Sequence, residues 1–183
     1  DYDETVLTEG RNLLKETLEK FHVNLKEDAE RSAAFDRFTL LWGDMDETYK
    51  IHRKKAKVIF KKEPALLEML GAQKGLPEAY DKWIQVLKTF YGVLEADVEL
   101  QQKVGRLKLS LEDIQAALHK IEVLEKARAD YMKEKGESQE ATQIKYEAFD
   151  RLDAWMSEFY AVARIALDDK PQLLEALNKT VKN

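Results

Sequence analysis

Cysteine is absent from the 183 residues, which excludes disulfides, thiolate zinc sites, iron–sulfur clusters and cysteine nucleophiles. Glycine occurs seven times, and proline and histidine three times each. No Gly-rich phosphate loop, no Gly-x-Ser-x-Gly elbow and no Ser/His/Asp grouping is present, so catalysis is not expected. No apolar run approaches the ~20 residues that a membrane-spanning helix requires, and no signal-peptide pattern opens the chain. The chain starts at Asp1 rather than Met. A processed form or fragment is therefore expected, and a removed leader stays open. Lack of cysteine leaves the compartment undecided, with the cytoplasm weakly favoured.

What remains is helix-forming material. About half of the chain is Ala, Leu, Glu, Lys or Arg, the composition of long helices or coiled coils. Apolar content of 44% argues against disorder despite 36% charge. A chain of this length removes roughly 70% of its unfolded surface from water on folding, so a real core is affordable. The expected fold is all-α, one domain over 1–183. The net charge of −5 and pI near 5.4 count against nucleic acid as a general partner.

Apolar residues recur at helical spacing almost throughout. Leu7, Leu14, Leu18, Phe21 and Leu25 predict a first helix near 4–25. Phe38, Trp42, Met45, Tyr49, His52, Ala56 and Ile59 step by fours and threes along a second, over about 29–62. Pro64 ends that helix, starts a short one over 64–70, and Gly71 closes it. A third helix from Pro77 carries Trp83, Val86, Leu87, Phe90, Val93 and Leu94. A short segment over 98–104 follows. Ser110 and Asp113 then form a capping-box-like start to a fourth helix ending near Lys135. Gly136-Glu137-Ser138 reads as a tight reversal into a fifth helix over 138–168. Five main helices with short joints predict an antiparallel bundle with short capping helices.

The most informative feature is a repeat at a separation of 107 residues. Ala56 to Leu70 (AKVIFKKEPALLEML) matches Ala163 to Leu177 (ARIALDDKPQLLEAL), and upstream Trp42, Met45, Asp46, Tyr49 and His52 pair with Phe149, Leu152, Asp153, Met156 and Phe159. A weaker third ending is Val98 to Gly105. Leu66, Leu67 and Leu70, like Leu173, Leu174 and Leu177, share one face of a helix too short to stand alone. Each is read as a cap on the open end of the core rather than a docking motif. The chain is thus expected to be internally duplicated, with halves at about 1–73 and 108–183 bridged by 77–105. The stretch 141–177, with its ending ARIALDDKPQLLEAL, resembles a group of uncharacterised bacterial all-helical proteins. Where such endings continue with Leu-Gly, this chain has Leu177-Asn178. The resemblance implies a helical bundle and no activity, cofactor or site residue.

Few constellations carry chemistry. A carboxylate-bridged di-iron bundle needs two Glu-x-x-His pairs; Glu19 and His22 make one, and His52 and His119 complete no second. No metal or other cofactor is expected. His52 lies on an apolar seam and is read as a core-boundary histidine whose protonation loosens the structure in mild acid. Asp46 and Asp153 flank equivalent seams and are read as solvated or capping carboxylates. Trp42, Trp83 and Trp155, with Tyr80, Tyr91 and Tyr160, are read as core or core edge.

The sharp charge feature is Lys50 to Lys62, with seven basic residues and no acidic one. Lys50, Lys54, Lys57 and Lys61 form a stripe with Arg53 beside it. Such a stripe suits phosphate, a polyanion or an acidic lipid surface, and equally suits the solvated C-terminal end of a helix. No aromatics interleave with it for base stacking. The leading expectation is a non-enzymatic helical scaffold or protein-interaction module, with self-association as one mode of partnering and no evident small-molecule substrate. An anion-binding protein using the 50–62 stripe (polyanion or, less favoured, membrane surface) comes second, and a metal-centred bundle enzyme third.

Overall fold

The computed structural model describes residues 3–170, 172 and 173. It is all-helical, with no strand among the described residues. Its elements are α1 (Glu4–Ile59), α2 (Pro64–Met69), α3 (Tyr80–Ala96), α4 (Val98–Gly105) and α5 (Leu111–Ala166). No described helix is long and apolar enough to cross a membrane.

Two expected breaks do not exist. The first and second predicted helices are one, α1, and the fourth and fifth are one, α5, each of 56 residues. Leu25 to Ala29 contains no proline or glycine that would end a helix. Gly136 alone costs only about 1 kcal/mol in a helix interior, less than the flanking turns contribute, and a Cβ there would meet nothing within 4 Å. The other boundaries follow local chemistry. Pro64 occupies the first position of α2, and Gly71 at φ +64° supplies the left-handed residue after it. Asp97 accepts from the backbone N–H groups of Glu99 and Leu100, starting α4. Asp113 accepts from Ser110 N–H at 2.9 Å, and Ser110 Oγ accepts from Asp113 N–H at 3.2 Å, which completes the expected box at the start of α5.

The two long helices start 107 residues apart (Glu4, Leu111) and end 107 apart (Ile59, Ala166). The backbone bonds past their ends recur at the same separation. Phe60 N–H to Ala56 O, Glu63 to Phe60 and Leu66 to Glu63 are matched by Leu167 to Ala163, Lys170 to Leu167 and Leu173 to Lys170. The second predicted cap, Pro171 to Leu177, otherwise lies outside the described residues.

The chain divides into two compact units, and α1 and α5 contribute to both. In the unit of residues 32–133, α1 and α5 pack antiparallel: Phe35 meets Tyr131 while Asp44 and Thr48 meet Lys120. The helices α2, α3 and α4 complete it. Its core is apolar and aromatic, built on Phe38, Met45, Tyr49, Trp83, Leu87, Phe90, Tyr91, Ile114, Ile121 and Leu124. Burying each large side chain contributes roughly 1.5–3 kcal/mol. Val86 and Val93, assigned to the inner face of α3, are only partly buried; Ile84 and Tyr91 are buried instead.

The other described unit, 3–31 with 134–173, is a two-helix pair of different character. As the α1 partner advances from Glu16 to Asn24 to Asp28, the α5 partner retreats from Arg151 to Thr142 to Ser138. The buried line on α1 is Gly10, Thr17 and Asn24, at steps of seven; on α5 it includes Ser138, Ala141 and Ala148. The large apolar residues whose spacing predicts the first helix are not on this line. Leu7, Leu14, Leu18, Phe21 and Leu25 are 37–51% exposed, because small residues one step round the helix let the two backbones approach.

Polar groups on that line are paired, as burial demands. Thr17 Oγ1 is 2.8 Å from Leu13 O and 3.2 Å from Ala148 O. Asn24 Nδ2 donates to Thr142 Oγ1 at 2.9 Å while its Oδ1 accepts from Lys145 Nζ at 2.7 Å. Ser138 Oγ donates to Asp28 Oδ1 at 2.6 Å. Trp155 lies against Gly10, where any Cβ would overlap its ring. Two glycine substitutions in helix interiors should thus have opposite signs. Gly136→Ala should raise stability by about 0.5–1 kcal/mol through helix propensity. Gly10→Ala should lower it by about 1–3 kcal/mol by displacing Trp155. Urea melts of the two variants against the parent check both; a stabilising Gly10→Ala would rule out the Trp155 contact.

Candidate functional site

The basic stripe occupies the last turns of α1, where cations complement the helix dipole. Lys50, Arg53, Lys54, Lys57 and Lys61, with Val58, line a shallow concavity of about 520 Å³. Not all of these cations face solvent unengaged. Lys50 Nζ pairs with Asp46 Oδ2 at 2.5 Å, and Arg53 Nη2 donates to the Lys74 carbonyl. The neighbouring Lys55 donates to the Lys108 carbonyl at 2.7 Å. Lys54, Lys57 and Lys61 make no ion pair among the described residues, and they lead the stripe's positive field. The whole lining comes from α1 and the turn after it, so no second element adds a donor to enclose a bound anion.

His52 stands beside the stripe and faces inward. It is half-buried, and its Nδ1 lies 2.9 Å from the hydroxyl of the fully buried Tyr91. Burial pushes the imidazole below its ordinary pKa; Lys55 pushes it the same way, Asp113 opposes, and Lys120 adds to the lowering. Burial also pushes the phenols of Tyr49 and Tyr80 up to about 12. None of the three phenols is poised to exchange a proton near neutrality, since Tyr91 is raised still further.

The aromatics converge around α3. Phe38, Trp42, Tyr80 and Trp83 are in ring contact at 5.3–6.0 Å, while Tyr49, Phe90 and Tyr91 form a second group. Trp83 Nε1 donates to Asp46 Oδ1 at 3.2 Å, so Asp46 is an acceptor at a packed helix contact rather than merely a solvated carboxylate. At the edges of α3, Lys88 pairs with Glu125 at 2.6 Å and Asp81 with Arg128 at 3.2 Å. The Arg128 guanidinium also covers the Tyr80 ring at 4.2 Å.

In the two-helix unit, the exposed Leu7, Leu14, Leu18, Phe21 and Leu25 of α1 share an apolar surface with Phe149 and the half-buried Leu152 and Met156 of α5. Trp155 and Phe159 stack at 5.2 Å between centroids. Glu19 and His22 are exposed, and His22 packs on Phe21. Three other carboxylates, Glu27, Glu134 and Glu137, bring ligand atoms within 4.8 Å of one another, with Lys26 3.7 Å from Glu27. No histidine belongs to that group. Sequence periodicity ranks the large apolar residues first and so misses Gly10, Thr17, Asn24 and Ser138; the steps of seven from Gly10 to Asn24 were the available signal.

The chain matches no protein-family model, no curated protein and no solved structure.

The His52 environment has a signed consequence. In the unfolded chain the imidazole takes up a proton near pH 6.5, whereas in the fold it does so at lower pH. The unfolded state thus binds more protons in that window. Stability from this group is full above about pH 6.5 and is lost as pH falls through the lower folded value, with a slope of at most about 1.4 kcal/mol per pH unit. Urea melts at pH 7.5 and 5.5 should show the loss, and His52→Gln should remove most of it. An unchanged pH dependence in that variant would dismiss His52 as its source.

Proposed function

We propose that this chain is a non-enzymatic helical interaction module: an internally duplicated, antiparallel helical frame that presents apolar surface to protein partners. Duplication is supported by helix limits and capping bonds that recur at a separation of 107 residues. One observation carries the functional reading. Five large apolar side chains of α1 and Phe149 of α5 stay exposed along one helix pair, and contiguous apolar surface of this kind marks interaction sites. A helix pair joined through small residues needs none of them for its own contact, so their retention as Leu and Phe calls for another explanation.

The basic stripe supports a second reading, an anion-binding surface, because Lys54, Lys57 and Lys61 cluster in one concavity with no acid beside them. Its open, one-helix geometry suits an extended polyanion better than a small anion. Charge reversal at Lys54 and Lys57 should then abolish salt-sensitive binding of heparin, with the melting temperature unchanged. Retained heparin binding would dismiss the stripe.

The leading reading makes a separate prediction. Exchanging Leu14 and Phe149 for Lys should shift the melting temperature by no more than a few degrees, since exposed positions contribute little. The same exchange should cut the fluorescence gain of an apolar dye such as ANS by more than half. A collapse of the fold would instead mark these residues as core, and unchanged dye binding would remove the surface.

A further inference from the structure

The packing of the 32–133 unit indicates what kind of element fits the corresponding face of the other unit. In the 32–133 unit the α1/α5 pair is covered by α3, a 17-residue amphipathic helix. The residues meeting α3 are Phe38, Trp42, Asp46, Tyr49 and His52 on α1, and Glu125 and Arg128 on α5 beside the buried Ile121. At a separation of 107, the α1 set maps onto Lys145, Phe149, Asp153, Met156 and Phe159 of α5. The α5 set, Ile121, Glu125 and Arg128, maps onto Leu14, Leu18 and Phe21 of α1. Of these, Leu14, Leu18, Phe21, Phe149 and Met156 belong to the exposed apolar surface, while Asp153 is an exposed carboxylate and Lys145 donates to Asn24. Ile121 is 2% exposed and its counterpart Leu14 48%; Leu18 and Phe21 stand at 48% and 37%.

We infer that this surface is a receptor for one amphipathic helix of a partner protein, seated as α3 is seated in the other unit. The inference rests on the reading of the chain as an interaction module and names the partner's chemistry. Two antiparallel helices leave a groove that a third helix fills, which is the helix-in-groove mode of recognition. The substitutions between the halves state how the bound helix differs from α3. Asp46, which accepts the Trp83 indole N–H, keeps a carboxylate at Asp153, so an indole or similar donor is again matched. Glu125 and Arg128, which hold Lys88 and Asp81 at the edges of α3, become Leu18 and Phe21. The bound helix therefore offers apolar side chains where α3 has Lys88 and Asp81. Its apolar face is wider than that of α3, and leaving a charge opposite Leu18 or Phe21 would cost its desolvation with no counter-ion.

The probe is a fluorescein-labelled peptide of residues 78–97, followed by anisotropy on addition of the full chain. A second peptide carries Asp81→Leu and Lys88→Leu. Saturable binding is expected for both, with the Leu peptide at least about tenfold tighter. A receptor with Leu18→Glu and Phe21→Arg, which recreates the charges facing α3, should reverse that order in favour of the unmodified peptide. A merely unfolded receptor could not reverse a preference. Leu14→Lys with Phe149→Lys should abolish binding of either peptide. No saturable binding, an unreversed preference, or binding that survives Leu14→Lys with Phe149→Lys would each overturn the inference. So would sedimentation showing a dimer that the same two substitutions dissolve, since a second copy would then be the occupant. If peptide binding fails while the apolar dye still reports the surface, only the helix receptor falls; if the dye result also fails, the interaction reading falls with it.

Discussion

Close approach of α1 and α5 through small side chains is the constraint on which the rest depends. Where Gly10, Thr17 and Asn24 face Ser138, Ala141 and Ala148, large side chains have no room between the helices, and Trp155 fits only against Gly10. Leu14, Leu18, Phe21 and Phe149 are turned outward by that geometry and not by any polarity of their own. Trp155 needs the missing Cβ of Gly10. The buried hydroxyl and amide groups need each other, since an unpaired one would cost about 1–3 kcal/mol. A contact of this kind gains register from its hydrogen bonds and little from area.

The 32–133 unit solves the same pairing problem with bulk. Phe38, Met45 and Tyr49 occupy α1 positions that in α5 are held by Lys145, Leu152 and Met156, and α3 brings Trp83, Leu87 and Phe90 to meet them. Thr48 and Ala117 stand at the 107-residue offset from Trp155 and Gly10. The unit is completed by hydrophobic burial, and its charged pairs, Lys88–Glu125 and Asp81–Arg128, sit at the rim where screening leaves them little to add. They bear instead on which helix fits, because a mismatched charge costs more than a matched one gains.

Much of this was legible in the residues. Few glycines and prolines, with apolar residues at helical steps, imply helices and nothing else. Pro64, Gly71 and the Ser110–Asp113 box mark ends because each has a local mechanism that acts whatever the surroundings. Other features depend on more than local pattern. Gly136 reads as a reversal because glycine favours turns, yet its helical cost is small against a 56-residue helix. Leu7 to Leu25 mark a helix by their spacing, but periodicity locates the apolar stripe of a helix without showing which edge of it meets a neighbour. The stripe of Lys54, Lys57 and Lys61 was visible as charge, and the i,i+4 pairing of Lys50 with Asp46 is local to α1, while the engagement of Arg53 by the Lys74 carbonyl depends on a segment beyond that helix.

The amino-acid sequence by itself determined the helical class, the breaks at Pro64 and Gly71, the Ser110–Asp113 box and the absence of cysteine chemistry, all of which follow from backbone preference and residue type acting locally. Only the tertiary structure decided that two long helices replace four shorter ones, that a line of small residues joins them in one unit, and that the larger apolar stripe is left in solvent. The reason is that burial belongs to pairs of surfaces. One helix carries its own periodicity, but which of its faces is hidden depends on how closely the other helix can come.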